Sequence, residues 1–194
     1  MDLQTRVTNI LTKPKQEWTI IAGESTNVET LYKEYIALLA AVPAVCNFIG
    51  MTLVGIPVPY YARVRVGLDT GLASLVVGYI LSLAAIYVAA IIVQKLAPTF
   101  ESAGGTVQAL KLVAYASTPI WVAGVFQLFP PLAPLGLVAG IYAIYLFYLG
   151  VAPLMRTPAD KVIPYMAVSA LVLLLIYVIV GAITGAVTGT MYRP

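Results

Sequence analysis

The chain has 194 residues, of which 61% are hydrophobic and 10% charged, against roughly 45–50% and 25% in a soluble domain, so a soluble globular surface is excluded. Eleven Lys and Arg against eight Asp and Glu leave a net charge of +3, too thin for the basic stripe of a nucleic-acid binder, and no nucleic-acid partner is expected. There is no histidine and the only cysteine is Cys46, which removes the commonest general base, the commonest metal ligand and any internal disulfide; no metal and no cofactor are expected.

Residues 1–35 read as a cytoplasmic, interfacial N-terminal segment. Asp2 and the polar residues after it lack the charged start, apolar middle and small-residue site of a secretory signal, so no cleavage is expected. Leu3, Val7, Ile10 and Leu11 recur at helical spacing, flanked by Arg6, Lys13 and Lys15. This predicts a short helix lying on an anionic inner-leaflet surface and ending at Pro14. Trp18 and the nearby tyrosines are expected at headgroup depth. Thr26 and Glu29 have capping-box spacing, and helix from there runs through Tyr32 and Tyr35 into the first span.

Between charges lie four neutral stretches: 28 residues from Tyr35 to Ala62, 25 from Thr70 to Gln94, 44 from Leu112 to Met155, and 31 from Val162 to Tyr192. A crossing helix needs about 20 apolar residues. The 44-residue stretch carries Pro130, Pro131 and Pro134 near its middle, and proline there removes donors and splits it into two spans. The fold class is therefore all-α, a polytopic membrane protein with five transmembrane helices at roughly 36–54, 71–94, 108–129, 133–152 and 161–188, within a membrane domain of residues 36–194. Cys46 in span one reads as an inert small side chain. Loop 55–69, with Arg63-Val64-Arg65-Val66 alternating, reads as an extended interfacial segment. Thr157, Pro158 and Asp160 suit the N-cap, first and third positions of a helix that begins span five, and Pro164 is expected to bend it.

Five spans put the termini on opposite sides. One side collects Arg6, Lys13, Lys15, Lys33, Lys95, Lys111, Arg156 and Lys161; the other holds Arg63, Arg65 and Arg193. The richer side is the cytoplasmic one, so the N-terminus is expected there.

No Asp, Glu, Lys or Arg falls at mid-depth in these spans, which weighs against an ion-coupled carrier. The polar chemistry at depth is hydroxylic. Lys111, Tyr115 and Thr118 share one face of span three, with Ser117 beside it, and Tyr142, Tyr145 and Tyr148 step by three along span four. Pro119 has no N–H, so the carbonyl of Tyr115 needs another donor, and a span-four tyrosine hydroxyl is the expected one. Lys111, Tyr115, Ser117, Thr118, Pro119, Tyr142 and Tyr145 form the candidate polar site; interhelical glue is the competing reading of the same hydroxyls. Gly181, Gly185 and Gly189 form a G-x-x-x-G-x-x-x-G row on span five, expected at a close contact with another span or with a second copy. No catalytic residue is assigned, because no base–nucleophile pair is suggested by spacing.

The run Leu96-Ala97-Pro98-Thr99-Phe100, followed by Ala109-Leu110-Lys111-Leu112-Val113-Ala114-Tyr115-Ala116-Ser117-Thr118-Pro119, resembles the Yip domain family of five-span membrane-trafficking proteins, in its bacterial YohC-like branch. The likeness extends through Trp121, Pro130, Tyr142 to Gly150 and Leu154-Met155-Arg156-Thr157-Pro158-Ala159-Asp160-Lys161, and back to Asn9-Ile10-Leu11-Thr12-Lys13-Pro14. The resemblance implies a five-span fold with a cytosolic N-terminus and, for a bacterial member, an inner-membrane location. It also implies that eukaryotic members bind Rab-type GTPases and act in vesicle transport. This chain has only about 30 residues before span one where those members have a longer cytosolic region, so Rab-type GTPase binding is not among the partners expected from the resemblance.

The leading functional reading is a non-enzymatic membrane protein that organises or adapts other membrane components. Its partners are the lipid bilayer and other membrane proteins or itself, as a homo-oligomer. The alternative is a small oligomeric permease or channel for an uncharged or weakly polar solute, its path lined by the hydroxyls of spans three and four.

Overall fold

Two short helices, α1 (Leu3–Thr12) and α2 (Pro14–Gly23), open the chain as a hairpin in the computed structural model. The structure describes the backbone of residues 2–58 and 61–191 and the side chains of residues 2–55 and 63–186. The Asp2 carboxylate caps α1 by accepting from the Thr5 N–H, and Pro14 takes the first position of α2, where a missing N–H costs nothing. Five helical segments long and apolar enough to cross a membrane follow among the described residues: Val28–Val54, Leu68–Phe100, Thr106–Leu128, Pro130–Met155 and Val162–Ala186, taken here as spans one to five. Asn27, not Thr26, caps the first, its side chain accepting from the Thr30 N–H at 2.8 Å. Spans one and two are joined through two short antiparallel strands, β1 (Ile56–Val58) and β2 (Tyr61–Val64), with Ile56 opposite Val64.

Span three is the centre of the bundle. Leu110, Leu112, Val113 and Ala114 are all buried, so it is enclosed on every side. Spans one and three cross closely at Gly124, where an added Cβ would come within 2.7 Å of Pro43 Cα. Without a hydrophobic driving force between helices in lipid, such close backbone approach is what holds them together. Span five is peripheral and leans on span two, with Thr184 facing Gly78. Among the described residues, a Cβ on Gly181 or Gly185 would meet no atom within 4 Å, so no described span presses on these two; the surroundings of Gly189 lie outside the described residues. Span two meets span five through Gly78 and Thr184.

The loops after spans two and four meet at the end of the bundle that carries α1 and α2. The Ala103 N–H donates to the Met155 carbonyl at 2.9 Å, the Ser102 and Thr157 hydroxyls pair at 2.8 Å, and Lys161 lies 3.5 Å from Glu101. Because Ser102 engages Thr157, that residue does not cap span five, which begins after a turn at Val162. Pro164 then falls in the first helical turn, whose N–H groups have no partner in any case, and imposes no break.

The N-terminal segment differs most from expectation. Ile10, Trp18 and Ile21 are at most 1% exposed and even Arg6 is only 5% exposed. The apolar side of the hairpin is drawn into the bundle against spans three and four instead of lying on lipid.

Candidate functional site

Span three breaks at Ser117, between helical segments Thr106–Ala116 and Thr118–Ala123, because Pro119 has no N–H for the carbonyl of Tyr115. The Thr118 hydroxyl donates to that carbonyl at 2.7 Å and lies 2.7 Å from the Tyr35 hydroxyl of span one. The Ser117 hydroxyl donates to the Val113 carbonyl at 2.8 Å. The expected donor from span four is thus replaced by a local hydroxyl, backed by a tyrosine from span one. Tyr142 instead donates to the Leu11 carbonyl of α1 at 2.7 Å, while Tyr145 is 42% exposed and stands against the Tyr142 ring, 5.7 Å between centres.

The face of Lys111, Tyr115 and Thr118 is buried, and the N-terminal hairpin covers its Lys111 end. Lys111 Nζ donates to the carbonyls of Ile21 at 2.8 Å and Glu24 at 2.5 Å, at the end of α2. A cation there meets the last carbonyls and the negative pole of the helix together. Arg6 pairs with Glu17 at 2.5 Å and with Glu24, and its guanidinium stands 5.6 Å from the centre of the Tyr115 ring. Burial works against the charged form of Arg6, but the Glu24 hydrogen bond and the fields of Tyr115, Glu24 and Glu17 outweigh it, leaving its pKa above the ordinary value. Arg6, Lys111 and Glu17 are buried and Glu24 partly exposed, and the two cations and two carboxylates balance formally, which is what permits the burial of the first three.

An aromatic layer surrounds them. Tyr35 packs edge-on to Tyr115 at 4.6 Å and to Trp121 at 6.3 Å, and Trp18 reaches Tyr115 at 6.3 Å. The Trp18 indole fits a hollow made by Gly150 of span four, where a Cβ would lie 2.8 Å from its ring. Two cavities, of about 480 Å³ and about 60 Å³, reach Ser117 from the opposite side of span three, and both are lined chiefly by apolar side chains.

Of the residues singled out in the sequence, Lys111, Tyr115, Ser117, Thr118 and Pro119 come together, while Tyr142 of span four is bonded to α1 instead and Tyr145 lies beside Tyr142, away from the set. Arg6, Glu17, Trp18, Glu24, Tyr35 and Gly150 were missed. The available signal was Asp2 capping one short helix and Pro14 opening a second, a helical hairpin carrying the opposite charges Arg6 and Glu17.

The Yip1 domain profile matches residues 8–182. The chain belongs to the Yip1 domain family. Over 176 residues it is 26% identical to the inner membrane protein YohC of Escherichia coli K12, covering 87% of this chain and 90% of that protein. The same figures hold for the inner membrane protein YohC of Escherichia coli O6:H1. No solved structure matches. The family match begins inside α1, so it takes in most of the hairpin as well as the spans. Five apolar spans and the inner-membrane relatives place this Yip1-family chain in the inner membrane.

Proposed function

We propose that this protein is a non-enzymatic organiser or adaptor of the inner membrane, working through contacts with other membrane proteins or further copies of itself, with its N-terminus in the cytoplasm. The observation that supports it is the engagement of the polar centre within the chain. Thr118, Ser117, Lys111, Arg6 and Tyr142 all have protein partners, and the cavities that reach the break in span three are apolar. A permeation path for polar solutes needs such groups to face the route. Here they tie the hairpin to spans three and four and span three to span one. In this reading Lys111, Tyr115, Ser117, Thr118, Pro119 and Tyr142 set the shape of the cytoplasmic face that partners meet. The gathering of basic residues at the hairpin end supports the orientation.

The test is reconstitution of the full-length protein into liposomes with measurement of small neutral solute flux. The expected rate equals that of protein-free liposomes, and a photo-crosslinking residue at the exposed Tyr145 is expected to give discrete protein adducts in cells. Solute flux above background that Tyr115→Phe abolishes overturns the adaptor reading in favour of permeation.

A further inference from the structure

The N-terminal hairpin lies along the bundle with its turn directed away from the Met155 end of span four. Leu11 of α1 is bonded to Tyr142, Trp18 of α2 packs on Gly150, eight residues nearer that end, and the close of α2 sits on Lys111. The turn between α1 and α2 therefore stands beside span four about 20 Å short of Met155. Lys13 and Lys15 belong to this turn and are exposed. The carboxylates of the hairpin are engaged elsewhere, Asp2 on the Thr5 N–H and Glu17 and Glu24 on Arg6. Among the described residues, neither lysine has an ion pair.

A charged side chain in hydrocarbon is expensive, so the polar headgroups must come down to the turn. Span one fixes the same level independently. Its exposed Lys33 and Glu34 are followed by a neutral run from Tyr35 to Val54, 20 residues and about 30 Å of helix, which matches the thickness of the hydrocarbon core. The Tyr32 hydroxyl donates to the Leu83 carbonyl at 2.8 Å and the Tyr35 hydroxyl meets Thr118, carrying that boundary across to spans two and three. Helix α1 is in contact with Thr118–Ala123, so the hairpin turn lies at the boundary. The anions found at that level are lipid phosphates. Two ammonium groups with no carboxylate of this chain favour a lipid of net negative charge, because a zwitterionic headgroup brings a cation of its own. We infer that Lys13 and Lys15 bind the headgroup phosphate of an anionic phospholipid in the leaflet on the side of the hairpin. The site follows from the placing of the hairpin and is independent of the adaptor reading.

The test uses the full-length protein in phosphatidylcholine vesicles containing a trace of either phosphatidylglycerol or phosphatidylcholine with a diazirine in its headgroup, followed by irradiation and peptide mapping. One lysine near a membrane surface is worth roughly a fivefold preference for anionic lipid. The phosphatidylglycerol probe is therefore expected to label residues 12–16 at least about fivefold more than the phosphatidylcholine probe. Inorganic phosphate added at constant ionic strength is expected to leave that ratio unchanged, because the site takes its phosphate from a lipid. Lys13→Gln with Lys15→Gln is expected to bring the ratio close to one, whereas Lys95→Gln with Arg156→Gln, at the ends of spans two and four, keeps it. Should the first double variant not fold, the wild-type ratio decides the matter alone. Equal labelling by the two probes, a preference that survives the loss of both lysines or disappears with Lys95 and Arg156, or its abolition by inorganic phosphate overturns the inference. So does carbodiimide coupling of Lys13 or Lys15 to a carboxylate of another protein in native membranes, which assigns the pair to an acidic partner.

Discussion

Replacing Arg6 with methionine keeps most of the apolar stem and deletes the guanidinium. Glu17, 2% exposed, then loses the cation 2.5 Å from its carboxylate. Glu24 loses a partner too, but at 36% exposure it reaches solvent and contributes little. An uncompensated charge left by breaking a buried pair costs about 3–5 kcal/mol. For a chain of this size each kcal/mol shifts the midpoint by about 2–4 °C, so a fall of roughly 6–20 °C is expected in detergent. Removing both partners of a buried pair is often nearly neutral, so Arg6→Met with Glu17→Met is expected to regain most of the loss, Lys111 and Glu24 remaining balanced. Thermal unfolding followed by the fluorescence of Trp18 and Trp121, the two tryptophans of the chain, reads all three proteins. A shift below about 2 °C for Arg6→Met, or a double variant that falls by the sum of the singles, refutes the idea that this pair locks the hairpin into the bundle.

Lys111→Met removes the donor at the end of α2, a charge–dipole contact of up to about 2 kcal/mol. Amide hydrogen exchange over residues 3–23 is expected to quicken by up to roughly thirtyfold, with spans two and five unchanged. Gly150→Leu drives a side chain into the Trp18 ring and is expected to cost about 1–3 kcal/mol in the same thermal assay, partly relieved by Trp18→Ala. Gly185→Leu is expected to leave the midpoint within about 2 °C, because a Cβ there meets no described atom within 4 Å; a larger drop, or an altered oligomer distribution, places a second copy on that row. A reporter that fluoresces only in the cytoplasm, fused after Pro194, is expected to be dark, and a bright full-length fusion reverses the orientation.

The spans were legible because crossing a bilayer is a local requirement. A neutral stretch of sufficient length must form its own backbone hydrogen bonds, and the prolines between Phe129 and Leu135 mark where one helix stops and the next starts. The same local logic exposed the face of Lys111, Tyr115 and Thr118 and the break at Pro119, since helical periodicity and a missing N–H are properties of neighbouring residues. Even the hairpin left a trace, in the capping Asp2 and in Pro14.

What covers that face was decided by the tertiary structure. Lys111 binds a carbonyl 90 positions away and Thr118 meets a tyrosine 83 positions away. No local pattern distinguishes an amphipathic hairpin that lies on lipid from one that enters a bundle. The choice rests on whether a buried cation waits for the end of α2 and a glycine leaves room for Trp18. The glycines make the same point. Gly181 and Gly185 form the more conspicuous row, yet it is glycines elsewhere, Gly124 and Gly150 among them, that are pressed by neighbours. A small side chain permits close approach, but which helix approaches is set by the packing of all the others, because in lipid apolar helices are held by the fit of their surfaces and not by escape from water.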